Sequence, residues 1–220
     1  MADDHMFFAD YQGDINLGFH GIVSESFSVV APGFNRAEVF GTKKVFEGLR
    51  ISNTDLIGLF AAGNSEGIIL PNIVSDHEKK LLEKNDINYM VIDSKHTAIG
   101  NLVLVNDKGC LISEVLEPFR EEISDFFGVP VETGVLAGTG MVGSAGFVTE
   151  KGLLVHREAE REELEIAEKV LGVKGDIGTV NFGSPYVGTG IIGNSKAVMV
   201  GNNTTGPETA RIDKALGFLK

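Results

Sequence analysis

The sequence has one cysteine, Cys110, and no tryptophan among its 220 residues. A single thiol forms no intrachain disulfide and builds no cysteine zinc site, so a reducing cytoplasm is the expected compartment. No apolar run reaches the ~18 residues that span a membrane. The start, Met1-Ala-Asp-Asp-His-Met6, is acidic where a signal peptide is basic. Residues 1–5 read as a frayed leader ahead of the first apolar run, Met6–Ala9. Cations are scarce: 19 Lys and Arg stand against 31 Asp and Glu, a net charge of −12. Phosphate-binding surfaces need clustered cations, so DNA binding is not expected, whereas a basic protein surface remains a compatible partner.

Glycine is abundant, 28 residues, nearly twice the average usage of about 7%. Apolar residues make up 43% and charged residues 23%, a globular composition far from that of disordered chains. Many of the glycines recur at fixed intervals. Ala98-Ile-Gly-Asn-Leu-Val-Leu-Val-Asn-Asp-Lys-Gly-Cys-Leu111 aligns with Leu56–Ile69, Met141–Leu154 and Tyr186–Met199, and more faintly with Asn16–Val29. The anchor glycines are Gly18, Gly58, Gly100, Gly143 and Gly188, spaced 40, 42, 43 and 45 residues apart. Five units of about 44 residues account for residues 1–220, read as one domain with internal pseudo-symmetry.

Each unit reads as a strand ending at the anchor, a second strand (Asn101–Val105, Ser144–Val148), and a turn. A short returning strand (Cys110–Ser113, Gly152–Val155), a polar loop and a helix follow. Nine residues after each anchor stand Phe27, Gly67, Gly109, Gly152 and Ala197; the glycines are expected to supply a positive φ in the turn. Ser75-Asp-His-Glu78 and Thr205-Gly-Pro-Glu208 read as capping boxes, and Gly128, Gly172, Gly217 and Asn85 as left-handed helix ends. No unit of this size buries its own apolar face, so neighbours must stack, as an open solenoid or a closed ring. Closure is favoured, because neither terminal unit carries a polar cap. The anchor glycines would then lie where strands crowd the axis.

Chemistry-bearing motifs are few. Gly138–Gly143 and Gly188–Gly193 both match G-x-G-x-x-G, but a hairpin strand follows each and they sit out of register with one another, so no dinucleotide site is expected. Cys110 aligns with Ile68, Leu153 and Val198 and reads as a buried core residue. His5, His20, His77, His96 and His156 are scattered, with no i, i+4 pair, and read as surface or boundary residues; no metal site is expected. The acidic run Glu158–Glu165 reads as a solvated helix face carrying an Arg161–Glu165 pair. Residues absent from the other units are better candidates for function. Asn101 stands opposite Phe19, Leu59, Ser144 and Thr189, and Tyr186 is expected to be exposed near a corner. Asn203-Thr204-Thr205 is a further candidate, which helix capping explains at least as well. Ring closure would bring Asn101 and Tyr186 to one end.

Ser94-Lys-His-Thr-Ala-Ile-Gly-Asn-Leu102, Asn106-Asp-Lys-Gly109, Gly178-Thr-Val-Asn181 with Gly183-Ser184, and Asn203-Thr-Thr-Gly-Pro-Glu208 together resemble the translation initiation factor 6 family in its archaeal form. The resemblance covers roughly residues 6–220. It implies the pentein fold, a closed five-bladed α/β propeller with a narrow axial channel. It also implies a factor that is not an enzyme and needs no cofactor. Such a factor acts as a cytoplasmic monomer on the large ribosomal subunit, bound through ribosomal proteins near the sarcin–ricin loop, where it sterically blocks joining of the small subunit. By the matching positions, Gly18, Gly100, Asn101, Tyr186 and Gly188 form the expected ribosome-binding face. The chain stops at Lys220, without the phosphorylatable tail of eukaryotic members, and the first unit is degenerate. Two alternatives stand beside this reading. One is a pentein guanidine-modifying enzyme, of the deiminase or amidinotransferase type, which needs a Cys, a His and two carboxylates around the axis. The other is a generic protein-binding ring.

Overall fold

A computed structural model describes residues 5–219. Its first strand, β1 (Met6–Ala9), belongs to the last sheet. Blade 1 is a 3-10 turn (Leu17–His20), β2 (Gly21–Val23), β3 (Phe27–Val30), a second 3-10 turn (Ala37–Phe40) and β4 (Lys44–Glu47). Blade 2 is α1 (Ile57–Phe60), β5 (Ala62–Asn64), β6 (Gly67–Pro71), α2 (Asp76–Lys84) and β7 (Tyr89–Ile92). Blade 3 is α3 (Ile99–Leu102), β8 (Val103–Val105), β9 (Cys110–Ile112), a 3-10 turn (Glu114–Phe119) running into α4 (Arg120–Phe127), and β10 (Val131–Thr133). Blade 4 is α5 (Val142–Ala145), β11 (Gly146–Val148), β12 (Leu153–His156), α6 (Arg161–Leu171) and β13 (Gly175–Gly178). Blade 5 is α7 (Val187–Gly190), β14 (Ile191–Gly193), β15 (Val198–Gly201) and α8 (Gly206–Ala215), completed by β1.

In every blade the first two strands are antiparallel and the third lies parallel to the second. In blade 5 that third strand is β1, with Met6 opposite Val198 and Ala9 opposite Gly201. The start of the chain therefore laces the last blade to the first. The apolar core is shared between blades: Ala62, Ile69 and Ile92 of blade 2 cluster with Ile99, Val103, Ile123 and Phe127 of blade 3. Helices pack on strands of the preceding blade, α4 on β6, α6 on β9 and α8 on β12. This is the closed ring favoured by the repeat and the pentein arrangement implied by the family resemblance.

The anchor glycines do not end strands. Each is the second residue of a four-residue helical turn, which shortens the following strands to Val103–Val105 and Gly146–Val148; the returning strands are Cys110–Ile112 and Leu153–His156. These five turns touch in a closed cycle. A Cβ on Gly58 would lie closer than 3.0 Å to the Gly18 carbonyl oxygen. The same holds for Gly100 on Gly58, Gly143 on Gly100, Gly188 on Gly143, and Gly18 on Gly188. Helical turns crowd the axis at the anchors, and β2, β5, β8, β11 and β14 line the channel beyond them.

At the opposite end lie the hairpins. Gly67, Gly109 and Gly152 do not have positive φ, contrary to expectation. They permit close approach instead: a Cβ on Gly109 would strike the Val170 carbonyl of α6, and one on Gly152 the Ala215 carbonyl of α8. Ala197 stands where the next blade has only the short Ala37–Phe40 turn. Three buried asparagines lock these seams. Asn106 Oδ1 accepts from the Lys108 and Gly109 N–H groups of its own turn, while its Nδ2 donates to the carbonyls of Thr149 and Leu171 in blade 4. Asn64 Nδ2 donates to Phe127 O, and Asn194 Nδ2 to Ser24 O and Phe40 O. Each amide thereby satisfies a carbonyl at the end of the next blade's helix or 3-10 turn. Carboxylates add a second link: Asp107 accepts from Ser65, Glu150 from the Asp107 N–H, and Glu25 from Ser195.

The expected capping boxes at Ser75 and Thr205 are present, and a third starts at Glu160. The glutamate that closes each box also holds a surface turn. Glu163 accepts from the Ala137 and Gly138 N–H groups, and Glu208 from Phe182 N, Gly183 N and Thr179 Oγ. Burial pushes the Glu208 carboxyl up, but hydrogen bonds from Thr205, Gly183 and Thr179 outweigh it and hold it below its ordinary value. The acidic run is thus only partly a solvated face. Arg161 pairs with Glu165 at 2.8 Å as expected, while Glu163 turns to the neighbouring loop. Gly128 and Gly172 are left-handed caps and Gly217 also has positive φ; Asn85 does not, and the turn there is made by Asp86 at φ 52°. Residues 1–4 of the expected leader lie outside the described residues, and His5 is anchored by Asp213 at 2.8 Å and stacked on Phe218.

Gly143→Ala places a Cβ against rigid backbone of blade 3. A loss of about 1–3 kcal/mol in urea unfolding is expected. At Gly206 a Cβ would meet nothing within 4 Å beyond its chain neighbours, but Pro207 disfavours helical backbone for a residue that carries one, so Gly206→Ala should be mildly destabilising and cost less than Gly143→Ala. Because the folded carboxyl of Glu208 lies below its unfolded value, its stabilisation is complete above that value and disappears as pH falls through the folded one. Glu208→Gln should lower the melting temperature at pH 7, and the gap from wild type should narrow below pH 4.5, the group's ordinary value.

Candidate functional site

The structure gathers three of the expected residues, Gly18, Gly100 and Gly188, with Gly58 and Gly143 around an axial channel of about 120 Å³. Glycine, alanine, valine, leucine, isoleucine and Phe147 line it, with no polar or ionisable side chain. It offers no acid, base, nucleophile or ligand for a cation. The anchor glycines are held against one another, so their part in any contact is to keep the face small and stiff.

Asn101 lies beside Gly100 on α3, half-buried. Its Oδ1 accepts a 2.7 Å hydrogen bond from Ser144 Oγ on the next turn of the ring. The two N–H bonds of its amide make no hydrogen bond among the described residues. Thr189 occupies the same position in blade 5 and donates to the Tyr186 carbonyl at 2.8 Å. Tyr186 precedes α7 and is half-buried rather than exposed: its ring meets His156 edge-on, centroids 5.3 Å apart. Asn101 and Tyr186 thus share the end of the ring where the anchor turns lie. Thr204 is buried and bonded to Asn181, and Thr205 caps α8, so Asn203-Thr204-Thr205 is largely structural.

Two of the histidines read as surface or boundary residues are buried, His156 and His20. His20 fastens blade 1 to blade 2. Its Nε2 lies 3.0 Å from Asp14 Oδ2 and its Nδ1 3.1 Å from the Asp55 carbonyl, with Tyr11 stacked at 4.2 Å. Tyr11 donates to Pro32 O and to Asp55 Oδ2, and Arg50 donates to Asp55 Oδ1. Burial pushes the Asp14 carboxyl up, but bonds from Asn16 and His20 leave it lowered; Arg50 chiefly lowers Asp55; burial and Asp55 raise Tyr11. Every one of these polar groups is engaged inside the seam. Periodicity carried no signal for it, because its members come from three loops and one turn. Cys110 is 0% exposed on β9, and burial pushes its thiol far up, so it is a core residue as expected and no ready thiolate. No group of three or more potential metal ligands occurs among the described residues. No helix there is long and apolar enough to cross a membrane.

One exposed residue escaped the repeat reading. Phe182 is 82% exposed, with φ 62°, at the tip of the turn bridged by Val180 and Ser184. The corresponding turn of blade 4, bridged by Leu136 and Thr139, is one residue shorter and carries Ala137-Gly138. Gly178–Val187 differs in sequence from the corresponding stretches of the other units, but the sequence does not tell which side chain its turn exposes.

Relatives match over nearly the whole chain. A protein of Pyrococcus horikoshii named Translation initiation factor 6 is 40% identical, with 96% of this chain and 97% of that one aligned. Namesakes from Saccharolobus islandicus and Methanocaldococcus jannaschii are 40% and 38% identical, covering 93% and 95% of this chain and 96% of each relative. A solved structure of DDAH from Pseudomonas aeruginosa aligns with 91% of this chain and 74% of its own at 12% identity and a TM-score of 0.48, a likeness from which nothing is concluded. A sequence model of the eIF-6 family matches residues 6–215, and the chain belongs to that family.

Proposed function

We propose that this translation initiation factor docks the anchor-turn end of its ring on the intersubunit side of the large ribosomal subunit and thereby excludes the small subunit. Gly18, Gly100, Asn101, Tyr186 and Gly188 are the proposed contact face. Exclusion needs no chemistry. A 23.5 kDa body occupying a surface that the other subunit must touch makes the two binding events mutually exclusive. The net charge of −12 favours basic ribosomal protein, such as that near the sarcin–ricin loop, over bare RNA, and speeds encounter with it. The factor is proposed to act as a single-domain cytoplasmic monomer, without a cofactor. An enzymatic reading has little to draw on, since Cys110 is sealed in the core and the channel wall is apolar.

The observation that carries the proposal is Asn101. Its carbonyl is spent on Ser144, which orients the amide N–H bonds on a surface whose backbone the glycine ring holds still. Co-sedimentation through sucrose gradients with separated subunits tests it. The protein should travel with large subunits and not small ones, and should suppress joined ribosomes when both are mixed. Asn101→Ala should weaken that association about 10-fold, the worth of one interface hydrogen bond. Migration with neither subunit, or with the small one, would remove the reading.

A further inference from the structure

We infer that Phe182 is a pre-organised aromatic anchor that inserts into an apolar pocket on a basic protein surface of the factor's partner. The inference rests on the docking proposed above and adds a contact outside the glycine ring. A phenylalanine 82% exposed forgoes the burial that its side chain could gain. Its φ of 62° lies in the region that disfavours bulky residues. The left-handed backbone recurs in the matching turns, at Gln12-Gly13, Ser52-Asn53 and Ala137-Gly138, so the scaffold demands the positive φ but not an exposed aromatic ring on it.

The turn is nonetheless built firmly. Glu208 Oε2 accepts from the Phe182 N–H at 3.2 Å and its Oε1 from the Gly183 N–H at 2.8 Å. Asn181 Nδ2 donates to Ile15 O at 2.9 Å, and Asn181 Oδ1 accepts from Thr204. A rigid backbone presenting a two-torsion aromatic ring loses little entropy on binding, which is the economy of an interface hot spot. The flank decides between partners. Asn202, two residues before Thr204 in the supporting loop, donates to the Asp10 carboxylate. An apolar tip flanked by a carboxylate, on a chain of net charge −12, suits a pocket rimmed by Lys or Arg and repels a phosphate backbone.

The test measures affinity for purified large subunits, and for the protein-free RNA extracted from them, with wild type, Phe182→Ala and Phe182→Gly. Both variants should bind subunits about 10- to 50-fold more weakly, the range of an aromatic hot spot. Phe182→Gly relieves the positive φ and should melt no lower than wild type, which separates lost contact from lost fold. Variants binding as tightly as wild type would overturn this inference alone. Binding to bare RNA that drops equally on Phe182→Ala would overturn it in favour of base stacking. Failure of wild type to bind subunits at all would overturn both this inference and the docking on which it rests.

Discussion

Five backbones meet at one axis, and only hydrogen side chains let them do so. Each anchor glycine presses on the carbonyl of the one before, and the first presses on that of the last, so the cycle closes with no gap. A repeat that left one side chain there would hold its neighbours apart and open the ring. Much else follows from this contact. The helical turns at the axis shorten the inner strands, and the channel is left narrow and apolar. Each blade, too small to bury its own apolar face, shares a core with the next.

Polar groups then fix what apolar stacking leaves loose. At the hairpin end, asparagine amides span the seams between blades 2 and 3, 3 and 4, and 5 and 1. At the anchor end, capping-box glutamates hold the surface turns of blades 4 and 5, and the His20 network ties blade 1 to blade 2. Buried and fully bonded, such groups specify a single arrangement rather than add much net stability. Stiffness of this kind suits a body whose proposed task is to occupy a surface, since exclusion is lost if the occupant yields.

Legibility differed by element. The anchor spacing, the capping boxes at Ser75 and Thr205, and the buried Cys110 were readable because each depends on local pattern or on repeat register. The polar residue six positions after each anchor, Ser24, Asn64, Asn106, Thr149 and Asn194, was equally readable in retrospect: it recurs in a core register where a polar side chain must have a partner. The purpose of Gly109 and Gly152 was misread, because a glycine in a turn suggests positive φ while the actual constraint comes from a helix 60 residues away. Partners remote in sequence likewise hid the pairing of His156 with Tyr186 and the burial of His20 against Asp55.

The sequence by itself determined that five like units stack, where their helices begin, and that no reactive thiol or membrane-spanning run is offered, since these are properties of period, local propensity and composition. Only the tertiary structure decided how the ring shuts, with β1 added beside β15, and which residues of unlike units come together at its two ends. Closure joins positions nearly 200 residues apart, and a sequence read locally carries no measure of that distance.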